Sequence, residues 1–438
     1  MIMDRRWQLV LDCLECEKAP FGKGTLVRFR AALMTQGGDR LLINQTVELA
    51  KTIGGYSSRS LRAALDSSPL WGAARVEDTY NLLGHALRKA LSLIARQQGM
   101  DLSEIASIAG GEILTTSSLK AALDLNWDEK DARTQALVTI LETLNQVETW
   151  VAQQTLTDER VSEEVQENLQ TARQIEQQNV EVTEVGDPKL KKGVAKDRRI
   201  SIEDPQMRHG RKSRTFKFDG YQRHLLKDLD SGLVRAVGVT PANAPEASVS
   251  EKIAEDLREQ QVTLTELHID RAYLSCHWVK QRSEDLSIFC KAWRVRNGNR
   301  FDKTAFVLDW EHNLIRCPNG VSIPFEQGKT ARFPQSDCQK CPLKDQCTTS
   351  ARGRSVSIHP SESLLQELRQ RQLTSVGRAQ LRQRVSVEHS LAHISRWQGN
   401  QARYLGIRKN LFDLRRTAVV HNLHVISQME DKFEQKTG

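Results

Sequence analysis

Residues 221–241 read YQRHLLKDLDSGLVRAVGVTP, and residues 264–270 read LTELHID. The first stretch is two apolar runs joined at Asp230-Ser231-Gly232, a turn triplet that predicts a β-hairpin. Between the two stretches lies EASVSEKIAEDLREQQ (246–261), whose apolar residues recur at helical spacing. Upstream, RISIEDP (199–205) reads as a further strand. The order strand, strand, strand, helix, strand predicts a mixed sheet with a right-handed crossover into the strand that ends at Asp270. The expected fold class is α/β, in the α+β sense, with helices flanking one mixed sheet.

Working outward, residues 1–60 read as a helical N-terminal domain. VRFRAALMTQ and LINQTVELAKTI carry helical periodicity, and Gly37-Gly38 and Gly54-Gly55 break it. LRAALDSSPLW (61–71) reads as a short strand ending at Asp66, because Ser-Ser-Pro follows. Residues 61–74 are thus expected to hold the first strand of the core. Residues 75–198 read as a helical insertion with a charged linker. YNLLGHALRKALSLIARQQ and RTQALVTILETLNQVETWVAQQ are amphipathic, whereas Asp158 to Glu184 holds eight acids and two arginines with few apolar anchors. That stretch is expected to be a solvated helix or linker, with a flexible boundary at 186–199. The sheet region spans 199–275. Residues 276–360 are expected to form a cysteine-cluster insertion, with 276–350 read as irregular, and 361–438 are helical and basic.

The chain has 438 residues, enough for several domains. Lys and Arg number 63 against 55 acids, a net charge of +8. Most of that excess is local: between 378 and 416, nine Arg or Lys face only Glu388 and Asp413. Such a bias favours a polyanionic partner. No apolar run approaches the ~20 residues of a membrane span, and the first twenty residues lack the pattern of a signal peptide. Eight cysteines are too sparse for a disulfide scaffold, so a reducing, cytoplasmic compartment is expected.

Four of those cysteines crowd together as Cys317-x20-Cys338-x2-Cys341-x5-Cys347. Paired thiolates at this spacing suit a tetrahedral structural Zn²⁺, which would stand in for a missing core. Reduced thiols without metal are the plain alternative. Among the carboxylates, Asp270 follows an apolar strand, where α/β sheets bind ligands, although a helix-capping or turn role also fits. Asp204 and Asp228 lie at strand ends too, and either could be a turn residue. Glu388 sits four residues after Arg384, which by itself is an ordinary helical ion pair. His389 and His393 read as surface groups or phosphate contacts. In the tail, Trp397, Tyr404 and Phe412 interleave with Arg396, Arg403, Arg408, Lys409, Arg415 and Arg416, a mixture that suits phosphate contact with some base stacking.

Taken together, several segments resemble the DDE-type transposases of bacterial insertion sequences. They are FRAALMTQGGDRLLINQTVELAK, ALDSSPLWGAARVEDTYNLLGHALRKAL, DPQMRHGRKSRTFKFDGYQRHLLKDLDSGL, VTPANAPEA and HIDRAYLS, followed by CPNG with CQKCPLKDQCT, then RVSVEHSLAHI, ARYLGIRKN and HNL. The subgroup resembled has a helical N-terminal domain and a late cysteine cluster. The resemblance implies an RNase H-like catalytic core. It carries the second catalytic Asp onto Asp270 and the catalytic Glu onto Glu388, with Arg384 at its usual place. The first Asp falls on Asp66, with Asp204 as rival and Asp228 behind it. Many relatives have a Tyr three before that Arg and a Lys seven after that Glu; this chain has Leu381 and Ser395 there.

The resemblance further implies two Mg²⁺ (or Mn²⁺) ions held by Asp66, Asp270 and Glu388, and cleavage of element ends followed by strand transfer into target DNA. DNA contacts would come from Arg384, Arg396, Arg403, Arg408 and Lys409, and from Arg208, Arg211 and Lys212. The expected partners are terminal-repeat and target DNA and a second copy of the chain assembled on DNA, with no membrane. A catalytically inactive, transposase-derived DNA-binding protein is the alternative. An interaction module built on the cysteine cluster would leave the strand-end acids unexplained.

Overall fold

The computed structural model describes residues 4–54, 59–116, 118–184, 186–193 and 195–437. Gly55, half of one expected helix break, lies outside them. Strand β1 (Ser60–Trp71) is the spine of a six-stranded sheet. Leu61, Ala63, Ala64, Leu65 and Leu70 are all buried, as expected of a central strand covered on both faces. A short β2 (Arg208–Arg211) pairs with the start of β3 (Lys217–Asp228). β3 lies antiparallel along β1, from Ala63 opposite Asp228 to Trp71 opposite Gly220. The predicted hairpin is present: β4 (Val234–Pro241) returns antiparallel to β3, with Gly232 at φ +77 in the turn. On the other side of β1, β5 (Thr263–His268) runs parallel, and β6 (Ser287–Phe289) runs parallel to β5. This mixed sheet flanked by helices is RNase H-like.

Helices close both faces. On one, α5 (Ser250–Glu259) and α6 (Glu362–Leu373) bury Ile253, Leu257, Leu364, Leu365 and Leu368 against Leu61, Leu65, Leu226 and Leu267. On the other, α1 (Gly38–Gly54), α7 (Val385–Gln398) and α8 (Ile407–Thr437) bring Ile43, Val387, Leu391, Ile394 and Leu414 onto Ala64, Leu70, Tyr221 and Leu225. Helix α1 of the N-terminal region therefore packs on the sheet itself. Arg223, almost fully buried on β3, fastens α7 in place. Its guanidinium donates to Ser68 Oγ (2.8 Å), Gln398 Oε1 (2.9 Å), the Gly399 carbonyl (2.8 Å) and Ser395 Oγ (2.5 Å). Burial pushes it down to about 10.

Four local expectations are corrected. First, β1 does not end at Asp66 but continues through Pro69 to Trp71. Its parallel partner β5 pairs with it only from Ser60 to Ala64. The Trp71 N–H, two residues past Pro69 and so on the same side, donates to the Asn400 carbonyl at 2.8 Å. The proline nitrogen thus faces the side β5 has left, where no ladder hydrogen bond is lost. Second, RISIEDP is not a strand. Arg199 occupies the Ser201 and Ile202 carbonyls with its own guanidinium (3.1 and 3.3 Å), while Ile200 and Ile202 plug two different cores.

Third, of the two readings of the acidic stretch after Asp158 the helix holds and the linker does not, and the helix is packed along one face. α4 (Glu159–Asn179) buries Val165, Leu169, Ala172 and Ile175. It does so against α2 (Thr79–Gln98) and α3 (Lys130–Ala152), within a core that the helical insertion owns. Its acids simply occupy the wet face. The expected boundary after it starts as a short hairpin, Val180–Val182 with Pro188–Leu190. Fourth, the cysteine segment is not irregular. β7 (Val307–Asp309), β8 (Leu314–Arg316) and β9 (Ser322–Pro324) form one antiparallel sheet, and β10 (Thr330–Arg332) pairs with β11 (Ser355–Ser357). Phe306, Ile315, Phe325, Phe333, Val356 and Ile358 make a small core of their own. Among the described residues no helix is long and apolar enough to cross a membrane.

Gly220 marks the closest backbone-to-backbone approach among the described glycines of the sheet. Its φ is +145, and a Cβ there would lie 2.3 Å from the Gly72 nitrogen and 2.4 Å from the Leu70 oxygen. Gly220→Ala is expected to cost more than about 1 kcal/mol and to lower the thermal midpoint measurably. An unchanged melting curve would contradict this account of the β1–β3 contact.

Candidate active site

The parting of β5 from β1 opens a crevice at the carboxyl end of both strands, the usual ligand position in such sheets. Asp66 follows Ala64, the last position of β1 paired with β5, by two residues. Asp270 lies two residues beyond β5 and caps the turn Arg271–Tyr273, its carboxylate accepting the Ala272 N–H at 2.8 Å. Glu246 opens the short 3-10 turn between β4 and α5. Carboxylate oxygens of Asp66, Glu246 and Asp270 lie within 4.8 Å of one another. Among the described residues they are the one such group of three His, Cys, Asp or Glu side chains.

Two cations press on these acids. Arg384, one turn before Glu388 on the approach to α7, forks between two carboxylates. Its Nη1 is 2.6 Å from Asp66 Oδ2 and its Nη2 is 2.6 Å from Glu388 Oε1. Lys212, in the loop between β2 and β3, puts Nζ 2.9 Å from Ser67 Oγ and 3.2 Å from Glu246 Oε1. Ser67 in turn donates to Glu246 at 2.8 Å. Burial raises the Asp66 carboxyl; Arg384 pulls it back down and Asp270 adds to the rise. Glu388, half-exposed in the first turn of α7, gains from the helix dipole.

Beneath the acids the floor is neutral. Burial pushes the fully buried His224 down to about 3. Its Nδ1 lies 2.8 Å from the Tyr273 hydroxyl and its Nε2 lies 2.9 Å from Thr240 Oγ1. Tyr273 is held well above the usual phenol range by burial, with Glu246 and Asp66 adding to it. Cys290, just past β6, is pushed up to about 12 by burial, with Asp270 adding to it. None of these groups brings a charge to the crevice at neutral pH. Clustered carboxylates are hard oxygen donors of the kind Mg²⁺ and Mn²⁺ prefer.

The predicted residues therefore divide. Asp66 and Asp270 meet, and Glu388 joins them through Arg384. Asp204 lies elsewhere, fully buried; it accepts the Tyr221 hydroxyl and the Gly406 N–H (3.1 Å) and so ties the region before β2 to α8. Asp228 accepts the N–H groups of Asp230 and Ser231 (2.9 and 3.2 Å) and pairs with Arg235, the work of a turn residue. Glu246 is not singled out by the sequence; the available signal is an acid placed shortly after the second strand of the predicted hairpin, in VTPANAPEA. Of the expected DNA contacts, Lys212 and Arg384 enter the crevice, while Arg211, Arg396, Arg403 and Lys409 are exposed. Arg208 donates to the Pro205 and Met207 carbonyls. Arg408 is engaged by Asp39 at 2.7 Å. Phe412, expected to stack on bases, is buried. His393 packs on Trp397, ring centroids 4.2 Å apart. Cys317, Cys338, Cys341 and Cys347 line one cavity of about 30 Å³.

Residues 316–427 match a family model described as the transposase DDE domain. The matched stretch contains Arg384, Glu388 and the four cysteines, and it supports a DDE-type transposase. No curated protein and no solved structure matches the chain. The two aspartates that approach Glu388 come from outside the matched stretch, so their assignment rests on the crevice geometry.

Divalent-metal binding separates the two rival aspartates. Asp66→Asn is expected to weaken Mn²⁺ binding, read by calorimetry, with little effect on the melting temperature. Asp204→Asn should leave Mn²⁺ binding and lower the melting temperature, at a cost on the order of 2 kcal/mol for a buried charged hydrogen bond. Because the Asp66 carboxyl is raised, protons compete for it at a higher pH than for an ordinary Asp. Mn²⁺ affinity of the wild type should therefore decline on acidification sooner than that of Asp66→Asn; parallel declines would refute the assignment.

Proposed function

We propose that the chain is a metal-dependent DNA transposase that cleaves the ends of an insertion sequence and joins them to target DNA. The observation that carries this reading is the meeting of Asp66, Asp270 and Glu246 in the sheet crevice, with Glu388 one guanidinium away, in a chain that bears a transposase DDE domain. Asp66, Asp270 and Glu388 are the proposed metal-holding carboxylates. Two divalent cations bound there would activate a water or a 3′-hydroxyl and steady the leaving oxygen.

The chain's own residues supply the rest. Burial of Asp66 and the neutral floor of His224, Tyr273 and Cys290 keep the crevice poor in competing charge. Arg384, Lys212, Arg211, Arg396, Arg403 and Lys409 are proposed to hold the phosphates of element-end and target DNA. Cys317, Cys338, Cys341 and Cys347 line one cavity, and soft donors in that number suit a structural Zn²⁺. We further propose that two copies assemble on DNA.

The test is Mg²⁺-dependent nicking of a DNA fragment carrying the gene's own flanking ends. Asp66→Ala, Asp270→Ala and Glu388→Ala should each lower the nicking rate at least about a hundredfold, as expected when several kcal/mol of metal-borne stabilisation is lost. Wild-type protein that binds those ends tightly but never nicks them would instead identify an inactive, transposase-derived DNA-binding protein. Elemental analysis is expected to find one Zn²⁺ per chain, lost with a drop in melting temperature in Cys341→Ser; a metal-free wild type would remove the zinc proposal.

A further inference from the structure

The loop between β2 and β3 holds a feature the carboxylate chemistry does not use. Residues 208–218 read RHGRKSRTFKF, with five Arg or Lys and no acid. Every residue from Arg211 to Lys217 is exposed. Arg211, Arg214 and Lys217 pair with no acid among the described residues. Amid these cations stand two large bare rings, Phe216 (46 % exposed) and Trp71 (39 % exposed). They meet edge to face with centroids 6.4 Å apart, and both rest on the buried Phe218.

The register of the hairpin ties these rings to the crevice. Arg211 pairs with Lys217, and the Lys212 N–H donates to the Phe216 carbonyl at 3.0 Å. Lys212 and Phe216 are thus the next cross-strand pair, and directly opposed residues share a face. Lys212 is the side chain whose ammonium touches Ser67 and Glu246. The exposed ring therefore lies one cross-strand step from a group at the edge of the acids. Trp71 lies four residues beyond Ser67 on β1 and so on the same face of the strand as the hydroxyl that Lys212 touches.

Phosphate contact alone calls for cations and leaves the rings unexplained. A protein partner would have to bring acids to this loop and cover the rings as well. Exposed aromatic faces interleaved with unpaired Arg and Lys suit a single strand, whose bases stack while its backbone is neutralised. Resting on the transposase reading of the carboxylates, we infer that Trp71 and Phe216 form a stacking platform for an unpaired DNA base beside the strand being cut. Arg211, Arg214 and Lys217 hold the flanking phosphates. The platform makes the chain a reader of frayed or distorted DNA ends, because a base within a closed duplex cannot reach it without leaving its stack.

The experiment uses the full-length protein with Ca²⁺ in place of Mg²⁺, which withholds cleavage without stripping the zinc proposed for the cysteines, and two labelled duplexes of one sequence. One is fully paired; the other has unpaired bases beside the element end, one of them 2-aminopurine. Wild type should bind the unpaired substrate more tightly and quench its 2-aminopurine. Phe216→Ala should weaken the unpaired complex by about tenfold, as stacking losses do, abolish the quenching, and leave the paired complex within about twofold. Phe216→Tyr should behave as wild type. Arg214→Ala should weaken both complexes alike. Equal loss on both substrates in Phe216→Ala, or no loss on either, overturns the platform while the transposase reading stands. Failure of wild type to bind either DNA would sink both.

Discussion

The carboxylate crevice depends on two parallel strands parting company. β1 and β5 stay hydrogen-bonded only as far as Ala64 and His268. Beyond that point the backbone on one side of β1 must find other partners. Trp71 takes Asn400 and Ala402, giving its N–H to one and its carbonyl to the other. The gap between those two pairings is where Asp66 and Asp270 come together. Had β5 followed β1 to its end, the ladder would have filled the space the carboxylates need. The helical face contributes its share through Arg223, a buried cation whose fork clasps the end of α7 and so fixes the helix that carries Glu388.

Electrostatic crowding is the second theme. Several carboxylates in so small a volume repel one another, and that cost must be offset. Arg384 and Lys212 do so from opposite sides of the crevice, one from the α7 face and one from the β2–β3 loop. Their side chains sit where positive charge is most needed. This is why the helical ion pair between Arg384 and Glu388, unremarkable by itself, becomes informative once Asp66 is seen as the third member.

Much of this was legible in the sequence. The Asp230-Ser231-Gly232 hairpin, the α5 crossover and the strand leading to Asp270 were all readable, because turn chemistry and apolar periodicity are local. What failed was non-local. Pro69 looked like a strand end because the departure of a neighbouring strand cannot be seen along the chain. RISIEDP has strand composition, yet a single Arg199 side chain takes up its carbonyls. The acids of α4 hid a narrow apolar stripe at every third or fourth residue. Phe412 looked available among arginines, and tertiary packing buried it. Glu246 escaped because an acid after a loop is common, and only the fold brings it beside Asp66.

The cysteine module, with its own phenylalanine core, sits in the connection between β6 and α6. Asp270 and Glu388 are more than a hundred residues apart in sequence. A floppy connection of that length would tax the closure of the crevice with chain entropy and would leave α7 weakly located. A prefolded unit replaces that slack with a few short joints. The distance that governs assembly is then the span between the module's two ends, and the number of residues inside it hardly enters. The helical insertion between β1 and β3 has the same character. The crevice is in this sense a small sheet interrupted by self-supporting bodies, whose surfaces are free to diverge while the carboxylates stay in register.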